Sequence, residues 1–270
     1  MSHLKTNVLL SKMTWFEAKE RLKETDIVLM PIGAFEQHGL HLPLDTDTFI
    51  AFEISKRAAE KVARDVKAVV GPSIQFGISP YMMGFPGSIT IQGETFVNLL
   101  HDVCESLIHQ GFSKIVFVNQ HYSNTPYIRM VIDKLQYERP KSFLALVNLG
   151  ELTGDVISEV KETLCFHACE TETSYAMALG QDVRMKKRTK KFPKSPIPKF
   201  IKFGIEMEVK PPFVITAVPA IDRVSKTGVI GDATKASMVK GKKMVEASVE
   251  RLSEFLRELK KLDLQKSPRT

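Results

Sequence analysis

Ile27-Val28-Leu29-Met30-Pro31-Ile32-Gly33 is an apolar run of strand length that stops at a glycine, and everything immediately after it is polar. A strand that is apolar on both faces belongs inside a parallel sheet with helices covering each side. The flanking segments agree with that placement. Thr14 to Glu24 reads as a helix capped by Thr14. After the polar loop from Ala34 to Thr46, the stretch Asp47 to Arg64 carries Ile50, Ile54, Ala58 and Val62, an i, i+4 stripe for a helix lying on the sheet.

The alternation continues along the chain. Val66 to Val70 reads as a second strand, and Gly71 to Gly87 is too rich in Gly and Pro, and too long, for a simple connection, so it reads as a functional loop. Thr95 to Gln110 is an amphipathic helix. Ile115-Val116-Phe117-Val118 is a second central strand, ending on Asn119-Gln120-His121-Tyr122-Ser123-Asn124. A helix from Asn124 to Tyr137, a strand from Phe143 to Val147 and a closing helix from Lys235 to Leu259 complete an α/β layer protein with a mainly parallel sheet. A length of 270 residues suits one such domain, with a basic Pro-rich loop at about 184–212 and a flexible tail at about 261–270.

Composition narrows the function classes. Apolar residues make up 43% and charged residues 26% of the chain, and no apolar run approaches the roughly 20 residues that span a bilayer. Neither a membrane anchor nor a secretory leader is expected. Three cysteines, Cys104, Cys165 and Cys169, are too few for a disulfide framework, which suits the cytoplasm. The formal charge of +7 is concentrated between Arg184 and Lys210 and in the C-terminal helix and tail. Lys186-Lys187-Arg188-Thr189-Lys190-Lys191 runs into a loop with Pro193, Pro196 and Pro198 and lacks interleaved aromatics, so it reads as a solvated loop and not as a nucleic-acid module. Steering of an anionic substrate by that loop is the alternative.

In open α/β sheets, ligands bind beyond the carboxyl ends of the strands. Glu36 and His38 lie just past the first strand, and His121 just past another. An extended Glu-x-His places both side chains on one face, and carboxylate oxygen with imidazole nitrogen is the donor set of Zn²⁺, Mn²⁺ or Fe²⁺. Asp47, at the loop-to-helix junction, is either a fellow ligand or a helix N-cap. A third cluster, His167 to Ser174, opens a helical stretch, where Glu170 and Glu172 also favour the helix dipole. Cys165 and Cys169 lack the further ligands of a zinc knuckle and read as packing residues. His101 and His109 read as ordinary surface or boundary histidines.

These residues resemble the creatininase (creatinine amidohydrolase) family. Glu36-Gln37-His38-Gly39-x-His41-Leu42-Pro43 with Thr46-Asp47 matches its opening signature. Further matches follow in order: Gly77-x-Ser79 with Phe85-Pro86-Gly87-Ser88-Ile89, Asn119-x-His121, His167-Ala168-x-Glu170-x-Glu172-Thr173-Ser174, and Gly228-Val229-Ile230-Gly231-Asp232. The resemblance implies a three-layer αβα fold, a homo-oligomer such as a hexamer, and two divalent metal ions (Zn, Mn or Fe). Glu36 and His121 would bind one ion and His38 the other, with Asp47 bridging them. A bridging water or hydroxide would attack a carbonyl, and His167 would carry a proton to the leaving group.

This chain departs from the family pattern in places. Ser123 stands where a Glu ligand is expected, and Glu170 is taken to replace it, leaving Glu172 either to support the ligands from behind or to act as a catalytic acid. Ser79 and Tyr122 are expected to contact substrate. Met82, Gln120 and Cys169 replace the usual His and glycines, and the only tryptophan, Trp15, lies in the first helix. The resemblance implies hydrolysis of a small cyclic amide or formamide. Ring opening of a cyclic diketone such as a diketo-inositol is the alternative, and a non-catalytic metal or small-ligand binding protein is a second one.

Overall fold

The computed structural model describes residues 7–192, 201–203, 214–216 and 219–264. Pro193, Pro196 and Pro198 of the expected loop, and most of the expected tail, lie outside the described residues. Helix α1 (Trp15–Leu22) starts at Thr14, whose hydroxyl accepts from the Glu17 N–H while the Glu17 carboxylate reaches back to the Thr14 N–H at 2.7 Å. Then come β1 (Ile27–Ile32), α2 (Thr46–Lys61), β2 (Val69–Val70), α3 (Gly93–Gln110), β3 (Lys114–Asn119), α4 (Thr125–Glu138) and β4 (Phe143–Asn148). Two short helices, α5 (Leu149–Leu152) and α6 (Gly154–Val160), precede α7 (Glu170–Leu179).

The main sheet is parallel in the order β2-β1-β3-β4, with Ile27 opposite Lys114 and Ile32 opposite Asn119. The strand expected from Val66 shrinks to Val69–Val70, because Lys67 takes a positive φ of 61° and breaks the extended run. A second, antiparallel pair joins β5 (Lys190–Lys191) to a later strand, Gly231–Asp232. Further on, β6 (Ile201–Phe203) runs parallel to β7 (Val214–Thr216), then α8 (Ile221–Val224) leads to β8 (Gly231–Asp232) and α9 (Met238–Lys261). No helix among the described residues is long and apolar enough to cross a membrane.

Period-two alternation divides the central strands between two cores. Ile27 and Leu29 with Val116 and Val118 pack on the side of α2 and α9. Val28, Met30 and Ile32 with Ile115 and Phe117 pack against α3 and α4. The result is the expected three-layer αβα arrangement. Each fully buried side chain of this kind, Phe117 or Leu29 for example, contributes roughly 1.5–3 kcal/mol. Gly241 lets α9 cross α7 closely, since a Cβ there would lie 2.0 Å from the Ser174 carbonyl oxygen.

Of the basic segment, the described part is pinned rather than loose. Arg188 donates to the carbonyls of Met185, Thr234 and Ala236, and Lys190 and Lys191 sit exposed on β5.

Candidate metal centre

Beyond the carboxyl ends of β1 and β3 the chain gathers its buried acids and imidazoles. The first turn of α2 can approach the end of β1 because residue 33 is glycine: a Cβ there would lie 2.3 Å from the Thr48 backbone nitrogen. This close contact carries Asp47 into the site. Asp47 is not the N-cap of α2, a position held by Asp45, but a first-turn residue only 1% exposed. Its two carboxylate oxygens point to different partners. Oδ1 is 3.3 Å from His38 Nε2, and Oδ2 is 3.1 Å from His121 Nδ1.

Glu36 is fully buried on the loop after β1, and its Oε1 is 3.6 Å from both His121 Nδ1 and His167 Nδ1. Each imidazole is oriented through its other nitrogen. His38 Nδ1 faces the Glu36 carbonyl at 3.1 Å, His121 Nε2 the Ile78 carbonyl at 3.0 Å, and His167 Nε2 the Gln37 carbonyl at 2.7 Å. Carbonyl oxygens only accept, so these nitrogens carry protons, and it is the opposite ring nitrogens that face the carboxylates. Three overlapping triplets result, Glu36–His38–His167, Glu36–Asp47–His121 and His38–Asp47–Glu172, each with its ligand atoms within 4.8 Å of one another.

The two acids at the start of α7 differ from expectation in where they point. Glu170 lies outside the cluster. Its Oε1 accepts from the backbone N–H groups of Glu162 and Thr163, both at 2.7 Å, and its Oε2 from Lys240 at 2.8 Å, which makes it a structural tether. Glu172 joins His38 and Asp47 instead, with Oε2 accepting from the Ala168 N–H. The physical reason is helical phase: residues two apart in a helix point about 200° apart, so only one of the pair can face the site.

Ser79 and Tyr122 also differ from expectation. Ser79 is completely buried, its hydroxyl 3.3 Å from His121 Nε2, so it touches the back of an imidazole rather than an open cavity. Tyr122 is 69% exposed and stands apart from the cluster. The sequence reading missed Tyr81, whose hydroxyl lies 3.3 Å from His121 Nε2 and hydrogen-bonds Ser123 Oγ. It also assigned no part to Asn119, which donates to the His121 carbonyl at 2.7 Å and to Asn148 at 2.9 Å. Its position at the end of a central strand was the available signal.

Electrostatics follow from burial against paired charge. Burial alone would lower His38 and His121, but the neighbouring carboxylates outweigh it and carry them to about 10 and about 9. Burial would raise Asp47, yet His38 and His121 hold it far below the usual carboxylate range. Burial pushes Glu36 up, and Glu172 up to about 8. His167 moves the other way, down to about 3, through burial and the nearby His38, so it is neutral with a free lone pair.

The donor set suits a divalent ion. Glu36 Oε1 and Oε2, His38 Nε2 and Asp47 Oδ2 are buried without an aligned hydrogen bond, a costly state for polar atoms unless a cation satisfies them. A separate group, His101, Glu105 and Glu138, lies between α3 and α4, where His101 pairs with Glu138 at 2.7 Å and Arg139 with Glu105 at 2.5 Å. It reads as an ion-pair network. Cys165 and Cys169 are buried free thiols.

The chain is similar to known proteins over most of its length. The creatininase family profile, described as creatinine amidohydrolase, matches residues 11–256. The chain is 27% identical to creatinine amidohydrolase of Pseudomonas putida, over 93% of this chain and 97% of that one. It is 29% identical to 3-dehydro-scyllo-inosose hydrolase of Thermotoga maritima, over 94% and 84%. With mycofactocin precursor peptide peptidase of Mycolicibacterium smegmatis it shares 31%, over 81% and 79%. Among solved structures, the manganese form of creatininase superposes with a TM-score of 0.76 at 25% identity, covering 94% of this chain and 98% of that one. Since the profile match takes in every member of the buried cluster, this chain belongs to the creatininase family and is a hydrolase of that family.

Proposed function

We propose that this chain is a two-cation amidohydrolase that hydrolyses a small cyclic amide or a formamide. Glu36, Asp47 and His121 would hold one Zn²⁺, Mn²⁺ or Fe²⁺, and His38, Asp47 and Glu172 the other. The observation that carries the reading is the division of the Asp47 carboxylate, one oxygen toward His38 and one toward His121. When bound, the cations would polarise the scissile carbonyl and make water acidic enough to attack it.

The chain's own residues supply the remaining work. His167, neutral and fixed by its bond to the Gln37 carbonyl, presents Nδ1 toward Glu36, where it takes the proton from the attacking water and passes it to the departing nitrogen. Glu36 and Asp47 keep the cluster anionic, so the protons now balancing their charge on His38 and His121 would be released as cations bind. The same reading takes the chain as a single cytoplasmic domain that assembles as a homo-oligomer.

A second reading, ring opening of a cyclic diketone, is favoured by the 29% identity with the inosose hydrolase. It would use the same ligands but needs enolate stabilisation instead of a proton on nitrogen. One panel decides between them: lactams, formamides and cyclic diketones offered to the Mn²⁺- and Zn²⁺-loaded protein, with Asp47→Asn alongside. Turnover of an amide that Asp47→Asn abolishes supports the first reading. Turnover of the diketones alone refutes it, and failure to bind any divalent ion refutes both.

A further inference from the structure

His121 is held on both sides. Nδ1 faces Asp47 Oδ2 at 3.1 Å and Glu36 Oε1 at 3.6 Å. Around Nε2 stand three oxygens: the Ile78 carbonyl at 3.0 Å, Ser79 Oγ at 3.3 Å and the Tyr81 hydroxyl at 3.3 Å. All three belong to one short segment that ends in the turn Pro80–Met82. We propose that the Tyr81 hydroxyl, locked by Ser123, is a positioning residue that holds His121 with Nδ1 aimed at the corner formed by Glu36 and Asp47. This inference rests on reading that corner as a cation site.

The proton count requires a lock of this kind. An imidazole that offers Nδ1 to a cation must keep its proton on Nε2, and it holds that orientation only if Nε2–H meets acceptors. A hydroxyl is an ambiguous neighbour, because it donates as readily as it accepts. The Ile78 carbonyl removes the ambiguity: it can only accept, so Nε2 carries the proton, the Tyr81 oxygen beside it accepts, and the phenolic hydrogen is left for the bond to Ser123 Oγ.

The lock also joins two walls. Tyr81 packs against the buried cluster of Met82, Ile221 and Ile230, whereas His121 and Ser123 follow β3. Rotating the imidazole by half a turn would replace Nε2 with carbon before all three oxygens and take Nδ1 off the corner. Removal of the Tyr81 hydroxyl leaves the Ile78 carbonyl in place, so the orientation loosens without being lost.

The test is Zn²⁺ affinity of the purified full chain, read by competition with a chromophoric chelator, together with the visible spectrum of the Co²⁺-loaded protein. Tyr81→Phe is expected to weaken Zn²⁺ binding at one of the two sites by about tenfold, the lower end for a lost outer partner, and to alter the Co²⁺ bands. Ser123→Ala should weaken it less, and the double variant should match Tyr81→Phe, because both act through one lone pair. His121→Ala should weaken it further still. If His121→Ala binds Zn²⁺ as the unaltered protein does, the cation corner itself is wrong. If His121→Ala loses affinity while Tyr81→Phe keeps it within twofold with unchanged Co²⁺ bands, the corner stands and the role given to Tyr81 is overturned. Additive effects of Tyr81→Phe and Ser123→Ala would also overturn it.

Discussion

Replacing Glu170 by Gln and Glu172 by Gln makes the same chemical change two residues apart, with opposite expected consequences. Glu170 accepts five hydrogen bonds, four on Oε1 from Glu162 N, Thr163 N, Thr163 Oγ1 and Cys165 Sγ and one on Oε2 from Lys240. A glutamine carbonyl can retain those on Oε1, but its NH₂ then faces the Lys240 ammonium, donor against donor. A hydrogen bond to a charged group is worth about 1.5–3 kcal/mol, and Lys240 keeps Glu162 at 2.7 Å, so the expected loss is about 2 kcal/mol. At this chain length that lowers Tm by about 4–8 °C.

Glu172, raised to about 8 by burial, is already largely protonated at pH 7 without metal. Its Gln variant keeps an acceptor for the Ala168 N–H, so the metal-free Tm should move by less than about 2 °C. The assay is a thermal melt in excess chelator beside the ion content of each Zn²⁺-loaded variant by mass spectrometry. Glu170→Gln should melt early and load fully. Glu172→Gln should melt normally and lose an ion. The reverse pattern would refute the assignment of the two acids.

Two further outcomes are expected. Gly33→Ala places a Cβ against the Thr48 backbone, moves Asp47 with the first turn of α2, and should cut turnover at least about 100-fold with loss of bound ion, checked by steady-state kinetics and ion content. The metal-free protein should lose stability as pH rises from about 6.5 to 10, above the range in which His167 and His41, lowered to about 3 and about 4, act with the opposite sign. His38 and His121, raised to about 10 and about 9, stabilise fully below 6.5 and lose that contribution as pH climbs through the raised values, and Glu172, raised to about 8, loses its own between 4.5 and 8. Above pH 6.5, Tm should fall in chelator and stay level with Zn²⁺, whose charge replaces the protons; a Tm in chelator that rises there would contradict the sign.

The sequence alone determined the layered fold, because a side chain's face in a strand alternates with period two and in a helix recurs every 3.6 residues, and both periods are written in the order of residues. Ile27 to Ile32 could thus be read as doubly covered, and Glu36, His38 and His121 as residues beyond strand ends. Where two parts of the chain had to meet, the order of residues was silent. Whether Asp47 caps α2 or enters the site depends on how closely α2 abuts Gly33. Whether Glu170 or Glu172 turns inward depends on the rotation of α7, which its packing against α9 and the bond to Lys240 decide. Tyr81 reaches His121 only across a turn and a strand end that are 40 residues apart. Contacts at such separations are decided by close packing of whole elements, a property of the folded chain that no local spacing contains.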